Sequence, residues 1–197
     1  KVGRKRGSMI HGMALCAGAG GLELGLKLAL GDDYRCCVYV EREAYAAACL
    51  VARMEDASLD PAPVWDDVST FDGRPWRGIV DLISAGFPCQ PWSGAGQRRG
   101  ARDERWLWPE LARIIREVEP RWVFLENVPA LVRGGIEHIL RDLALCRFDA
   151  EWDVFSAAEV GAPHLRRRLF ILAYAGSDGL VRQSKLARIG IPPVAEE

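Results

Sequence analysis

A chain of 197 residues, 49% apolar and 27% charged, has room for one substantial core and not for a second full domain. Its formal net charge of −1 excludes a basic field over the whole surface. Contact with nucleic acid would have to come from local clusters, of which Arg98, Arg99, Arg102 and Arg105 form one and Arg166-Arg167-Arg168 another. Read alone, such runs serve equally as solvated surface. There is no stretch apolar enough to cross a bilayer and no leader-like pattern at the amino end, which predicts a cytoplasmic protein without membrane contact. Six cysteines (Cys16, Cys36, Cys37, Cys49, Cys89, Cys146) show neither a C-x-x-C pair nor a zinc-type Cys/His spacing, so reduced thiols and no metal are expected.

In chain order, residues 1–8 are basic and aperiodic and read as a vector-derived segment or a basic arm. Residues 10–15 read as a first strand, followed by a glycine turn and an apolar helix over 22–28. A second strand over 34–40 ends at Glu41, an alanine-rich helix covers 44–54, and a short third strand lies at Val64-Trp65. Residues 80–85 make a fourth strand. Between 106 and 118, Leu107, Leu111, Ile114, Ile115 and Val118 recur at helical spacing, and Pro120 stops the helix. A fifth strand over 122–125 ends at Glu126-Asn127, and Ile136, Ile139, Leu140 and Leu143 mark another helix. Strands over 151–156 and 168–174, joined by a short turn with Gly161 and Pro163, suggest an antiparallel hairpin. This alternation predicts an α/β fold: a mostly parallel sheet covered on both faces, with one antiparallel strand near the C-terminal end. The expected divisions are an arm over 1–8, a catalytic and cofactor-binding domain over 9–175, and a linker or tail over 176–197.

The residues that carry chemistry stand at strand ends, where open α/β sheets form their ligand crevice. Gly86-Phe87-Pro88-Cys89-Gln90-Pro91 follows the fourth strand, and the prolines would hold a thiol rigidly at the mouth of a glycine- and arginine-rich loop. Such a thiol suits a nucleophile; the plain alternative is a small buried hydrophobe. Gly18-Ala19-Gly20-Gly21 after the first strand serves either close helix packing or the approach of an anionic ligand to free N–H groups. Glu41 is placed to accept from ribose hydroxyls or to make a surface salt bridge, and Asp66-Asp67 to accept from an adenine amino group. Glu126 stands beside the cysteine loop, where it would share a substrate ring with the thiol, cap a helix or pair with a cation.

Gly86-Phe87-Pro88-Cys89-Gln90-Pro91-Trp92-Ser93, continued by Ala95-Gly96, Gly100, Asp103, Arg105 and Leu107, resembles the catalytic motif of the DNA cytosine-5 methyltransferases. Glu126-Asn127-Val128 resembles the second catalytic motif of that family, Gly161-Ala162-Pro163-His164-Leu165-Arg166-Arg167-Arg168 its third, and Ala17-Gly18-Ala19-Gly20-Gly21 its S-adenosylmethionine motif. The resemblance runs from about Met13 to Ala175. It implies a Rossmann-like methyltransferase fold and methyl transfer from S-adenosylmethionine to C5 of a cytosine flipped out of double-stranded DNA, leaving S-adenosylhomocysteine. Cys89 would bond C6, Glu126 would bond N3 and the exocyclic amine, Arg168 would bond O2, and Arg166 would support its loop. Cofactor contacts are implied for Cys16, Ala17, Gly18, Gly20, Gly21, Glu41, Asp67, Val68, Pro88 and Leu107, and substrate contacts for Gln90, Ser93, Arg105 and Asn127.

Departures from the family pattern fall mainly in the cofactor half. Ala14 and Cys16 stand where the family carries an acidic residue and a phenylalanine, Arg42 where an aromatic often sits, and His164 where glutamine is common. Weaker cofactor affinity is expected. Nothing after Ala175 resembles the family's target-recognition region or its last motif, so a second chain carrying that region, truncation or decay is expected. A cofactor-binding half without activity of its own is the alternative. The RNA-acting branch is disfavoured because its Cys-Phe-Thr insertion does not occur here.

Overall fold

In the computed structural model, which describes residues 9–88 and 106–176, apolar runs become strands wherever both of their faces are covered. Strands β1 (Ile10–Leu15), β2 (Tyr34–Val40), β3 (Val64–Trp65), β4 (Leu82–Ala85), β5 (Trp122–Asn127), β6 (Phe148–Phe155) and β7 (Arg168–Ala175) join in one sheet, in the order β3-β2-β1-β4-β5-β7-β6. All of β4 and the stretch Met13-Ala14-Leu15 of β1 are buried, as expected of central parallel strands. The helices are α1 (Gly21–Leu30), α2 (Ala44–Glu55), α3 (Trp108–Val118) and α4 (Ile136–Leu145). Leu24 and Leu26 of α1 and Leu50 and Met54 of α2 pack with Ala14, Tyr34, Tyr39 and Leu82 in one core. Leu111, Ile114 and Ile115 of α3 and Ile139 and Leu143 of α4 pack with Met13, Ile83, Val123 and Leu125 in the other. None of the helices among the described residues is long and apolar enough to cross a membrane.

Only β7 runs antiparallel, to β5 on one side and β6 on the other. The expected mostly parallel sheet with one reversed strand is therefore present. The link between β6 and β7 is longer than the expected short turn: Ser156 and Glu159 form a reciprocal capping box that starts a single 3-10 turn, Ala157–Val160. The helix expected from residue 106 begins instead at Trp108, with Pro109 in its first turn and Leu107 at its N-cap. It ends at Glu119, in the left-handed region just before Pro120.

This topology positions the site. Strand β1 lies between β2 and β4, so the chain leaves it in opposite directions and a crevice opens at the carboxyl ends of both. Because β7 is reversed, its amino end lies beside the carboxyl end of β5, with Asn127 opposite Leu169 and Glu126 opposite Phe170. Arg168 is thereby delivered to the same rim as Glu126.

Candidate active site

The turn after β1 is held by its own backbone. Ala17 N–H donates to the Val40 carbonyl at 3.1 Å and Gly20 N–H to the Ala17 carbonyl at 2.9 Å. Glu41 fastens the turn to the end of β2: Oε2 accepts from Gly18 N–H and Oε1 from Glu43 N–H, both at 2.7 Å. Each carboxylate oxygen retains a second lone pair. The surface salt bridge considered for Glu41 does not form among the described residues.

Gly18 (φ 56°) and Gly20 (φ 75°) both occupy the left-handed region. A Cβ on Gly20 would run into Leu59 and Leu50, whereas one on Gly18 or Gly21 would meet nothing within 4 Å. The turn thus serves both uses left open by its sequence: Gly20 lets α1 pack closely, and Gly18 and Gly21 leave a clear cradle. Gly20→Ala is expected to destabilise the protein by about 2–4 kcal/mol in chemical denaturation. Gly18→Ala should cost only about 1 kcal/mol of stability but weaken binding of the S-adenosylmethionine that the resemblance implies about tenfold or more in calorimetry.

Cys16, Glu41 and Asp67 converge on this cradle. Burial, and then the negative charges of Glu41 and Asp67, push the Cys16 thiol up to about 12, so it is no nucleophile. Asp67 Oδ1 accepts from the N–H and hydroxyl of Ser69, both at 2.8 Å, which holds its carboxyl below the usual range. Val68 is buried behind it, Asp66 and Pro88 are exposed, and Leu107 is half-buried at the start of α3.

On the other side of the crevice, a Cβ on Gly86 would lie 3.4 Å from Glu126 Oε2, 3.8 Å from Leu22 Cδ1 and 3.9 Å from the Cys16 carbonyl. The ends of β1, β4 and β5 and the start of α1 therefore meet at one point. Glu126 Oε1 lies 2.7 Å from Arg168 Nε, with both side chains about one-quarter exposed. Of the roles considered for Glu126, a cation partner is thus present. Arg168 also donates from Nη1 to the Arg167 carbonyl at 2.9 Å, and Arg166 is exposed with φ 30°.

Asn127 is buried. Its Nδ2 donates to the Phe87 carbonyl at 3.1 Å and its Oδ1 accepts from Val128 N–H at 2.8 Å. These bonds hold the stem of the cysteine loop. Phe87 packs edge-on against Trp106 at 5.8 Å and at a tilt against Trp108 at 6.0 Å, so both stems of segment 89–105 are fastened together. Cys89, Gln90, Ser93 and Arg105 lie outside the described residues, as do the expected arm and most of the expected tail.

The family model for C-5 cytosine-specific DNA methylase matches residues 10–188. The chain belongs to the C-5 cytosine-specific DNA methylase family. Among curated relatives, the type II methyltransferase M.NgoMIV of Neisseria gonorrhoeae is 35% identical over 169 residues, covering 82% of this chain and 50% of that protein. M.PspPI of Psychrobacter sp. is 37% identical over 166 residues, covering 80% and 38%. The chain therefore spans half or less of the length of these methylases. The solved structure of the S. pombe Dnmt2 methyltransferase superposes with a TM-score of 0.69 at 19% identity, over 86% of this chain and 52% of that one, and shows the shared Rossmann-like fold.

Two residues of this methylase domain escaped sequence reasoning. Glu23 and Ser84 form a buried side-chain pair directly beneath the crevice. The available signal was their setting: an acid between Leu22 and Leu24, and a hydroxyl inside Leu82-Ile83-Ser84-Ala85.

Proposed function

We propose that this chain supplies the catalytic and cofactor-binding part of an enzyme that methylates C5 of cytosine in double-stranded DNA. The observation that carries the reading is the 2.7 Å Glu126–Arg168 pair beside Gly86, across the crevice from an open glycine cradle. The cradle residues fit S-adenosylmethionine: Gly18 and Gly21 leave space, Glu41 keeps lone pairs for ribose hydroxyls, and Asp67 and Val68 flank the position expected for the adenine. When bound, that cofactor supplies an electrophilic methyl on a sulfonium. Cys16 and Arg42, in place of aromatic residues, weaken its affinity.

Cytosine C5 is too poor a nucleophile to take a methyl unaided, and C6 is out of reach inside a duplex, so the base is flipped out. The Cys89 thiolate adds to C6, and the electron pair of the C5–C6 double bond moves toward C5 and the ring. Glu126 accepts from the exocyclic amine and, as negative charge grows and N3 becomes basic, relays a proton from solvent to N3 and back again when the ring is restored, while Arg168 and the O2 oxygen attract one another. C5 takes the methyl as the bond between that methyl and the cofactor sulfur breaks, water takes the C5 proton, and the electron pair left behind re-forms the C5–C6 double bond and expels the Cys89 thiolate. Asn127 acts as a positioning residue, because its bond to Phe87 sets the stem from which Cys89 projects.

A span of half or less of the relatives favours one further reading: target recognition comes from residues beyond this chain or from a second chain. The relatives' type II names support a place in a cytoplasmic restriction-modification system. The test is to incubate the protein with methyl-labelled S-adenosylmethionine and either DNA or transfer RNA. Label in DNA cytosine is the expected result; cofactor binding with no label in either polymer would leave only a cofactor-binding half.

A further inference from the structure

Glu23 lies in the first turn of α1 and is 2% exposed. Its Oε1 is 2.6 Å from Ser84 Oγ, and the same Oγ is 3.3 Å from the Met13 carbonyl oxygen. Ser84 owns one hydroxyl hydrogen. Were Glu23 a carboxylate, both of these neighbours would be acceptors and one contact would lack a proton. With a proton on Glu23, the carboxyl O–H donates to Ser84 Oγ, Ser84 donates to Met13, and each contact becomes a hydrogen bond.

The surroundings agree with a neutral acid. Glu23 Oε2 and Tyr34 Oη are the buried side-chain polar atoms without a partner among the described residues, and an orphaned oxygen costs far less on an acid than on a carboxylate. Strand β2 turns three titratable groups toward Glu23: Tyr34, Cys36 and Tyr39. Burial raises all three, Cys36 to about 12, so none is charged near neutrality. Strands β1 and β4 offer only the Met13 carbonyl and the Ser84 hydroxyl, neither of which titrates. No ion pair reaches Glu23 among the described residues. Burial pushes its carboxyl above the ordinary glutamate range, and the Ser84 bond and the backbone N–H of Glu23 itself oppose this only in part.

We propose that Glu23 carries its proton in the folded protein at neutral pH and that the relay Glu23–Ser84–Met13 is a latch aligning the glycine turn with the strand that leads to Cys89. Glu23 stands just after the turn at Gly20-Gly21, and Ser84 just before Gly86. Ionisation would leave an anion in the core and Ser84 with one hydrogen for two acceptors, and would drive α1 away from β4. The sign follows from a raised acid: the latch's stabilisation is complete below the ordinary glutamate value, declines as pH rises, and is lost once pH passes the folded-state value.

The consequence for the cofactor rests on the function proposed above, whereas the protonation does not, and two measurements separate them. Infrared spectra of the full chain with carbon-13 glutamate should show a protonated carboxyl band at neutral pH that disappears in Glu23→Gln. In Ser84→Ala the band should move to higher frequency as its acceptor is lost, which assigns it without relying on the first variant. Calorimetric S-adenosylmethionine affinity of the wild type should weaken about tenfold as rising pH removes the Glu23 proton, while Glu23→Gln, whose amide can donate to Ser84, stays flat. A wild type with no such band, or a Glu23→Gln variant that loses affinity in parallel with it, overturns the latch. A protein that shows the band yet binds no S-adenosylmethionine at any pH keeps the proton on Glu23, loses the cofactor consequence and overturns the proposed function.

Discussion

Cys89→Ser lowers methyl transfer to DNA by about a thousandfold or more and leaves S-adenosylmethionine affinity within about twofold. A serine hydroxyl is almost the size of the thiol, but it holds its proton far more tightly and yields a negligible population of anion near neutrality. In the proposed mechanism, addition to C6 is the step that makes C5 reactive, so losing the anion should remove the reaction rather than slow one of its parts. The cofactor cradle is held by bonds between the turn after β1 and the end of β2, so the substitution should leave it in place. Label transfer at saturating cofactor, with calorimetry on the same preparation, checks both halves. Retention of more than a few per cent of the rate would mean that Cys89 is not the nucleophile.

Glu126→Gln follows with a loss of about a hundredfold to ten-thousandfold in kcat. The amide can still face the Arg168 guanidinium, but it cannot give a proton to a ring nitrogen. Stability should change little: the Glu126–Arg168 pair is about one-quarter exposed, and removing its charge costs about 1 kcal/mol or less in denaturation. The rate is diagnostic, because a residue that served only as a salt-bridge partner would show the same small change in stability and keep its rate. Arg168→Lys should also be slow, and the double variant should fall short of the product of the two losses, since both act on one ring through one contact.

Most strands and helices were legible because their signals are local. The apolar runs at 10–15 and 34–40 match β1 and β2 end to end, and the α3 spacing showed its buried face from Leu111 to Val118. Boundaries slipped where one residue could serve two states. Val80 is apolar and buried yet precedes β4, and Trp106 is buried against Phe87 without entering α3. At the site, the residue types at strand ends were readable, but their partners were not. Glu41 had a plausible ligand role from position alone, whereas its hold on Gly18, 23 residues away, depends on how β1 and β2 lie side by side. The resemblance implied a substrate contact for Asn127, whereas the bond from its amide to the Phe87 carbonyl becomes visible only through the closeness of β4 and β5.

By itself, the sequence determined the α/β class and the family, and it pointed to the strand ends and the sulfur proposed to carry the chemistry. Each of these is written in short-range patterns of apolar burial, glycine and proline backbone limits, and residue types in order. The tertiary structure alone decided that Arg168 meets Glu126, because a strand reversed between β5 and β6 is what brings its amino end to the crevice. It alone decided that Gly20 serves packing while Gly18 stays open, and that Glu23, 61 residues from Ser84, shares with it a proton-bearing contact in the core. Hydrogen bonding and charge burial act over a few ångströms of space, and distance in space is what a linear order of residues does not contain.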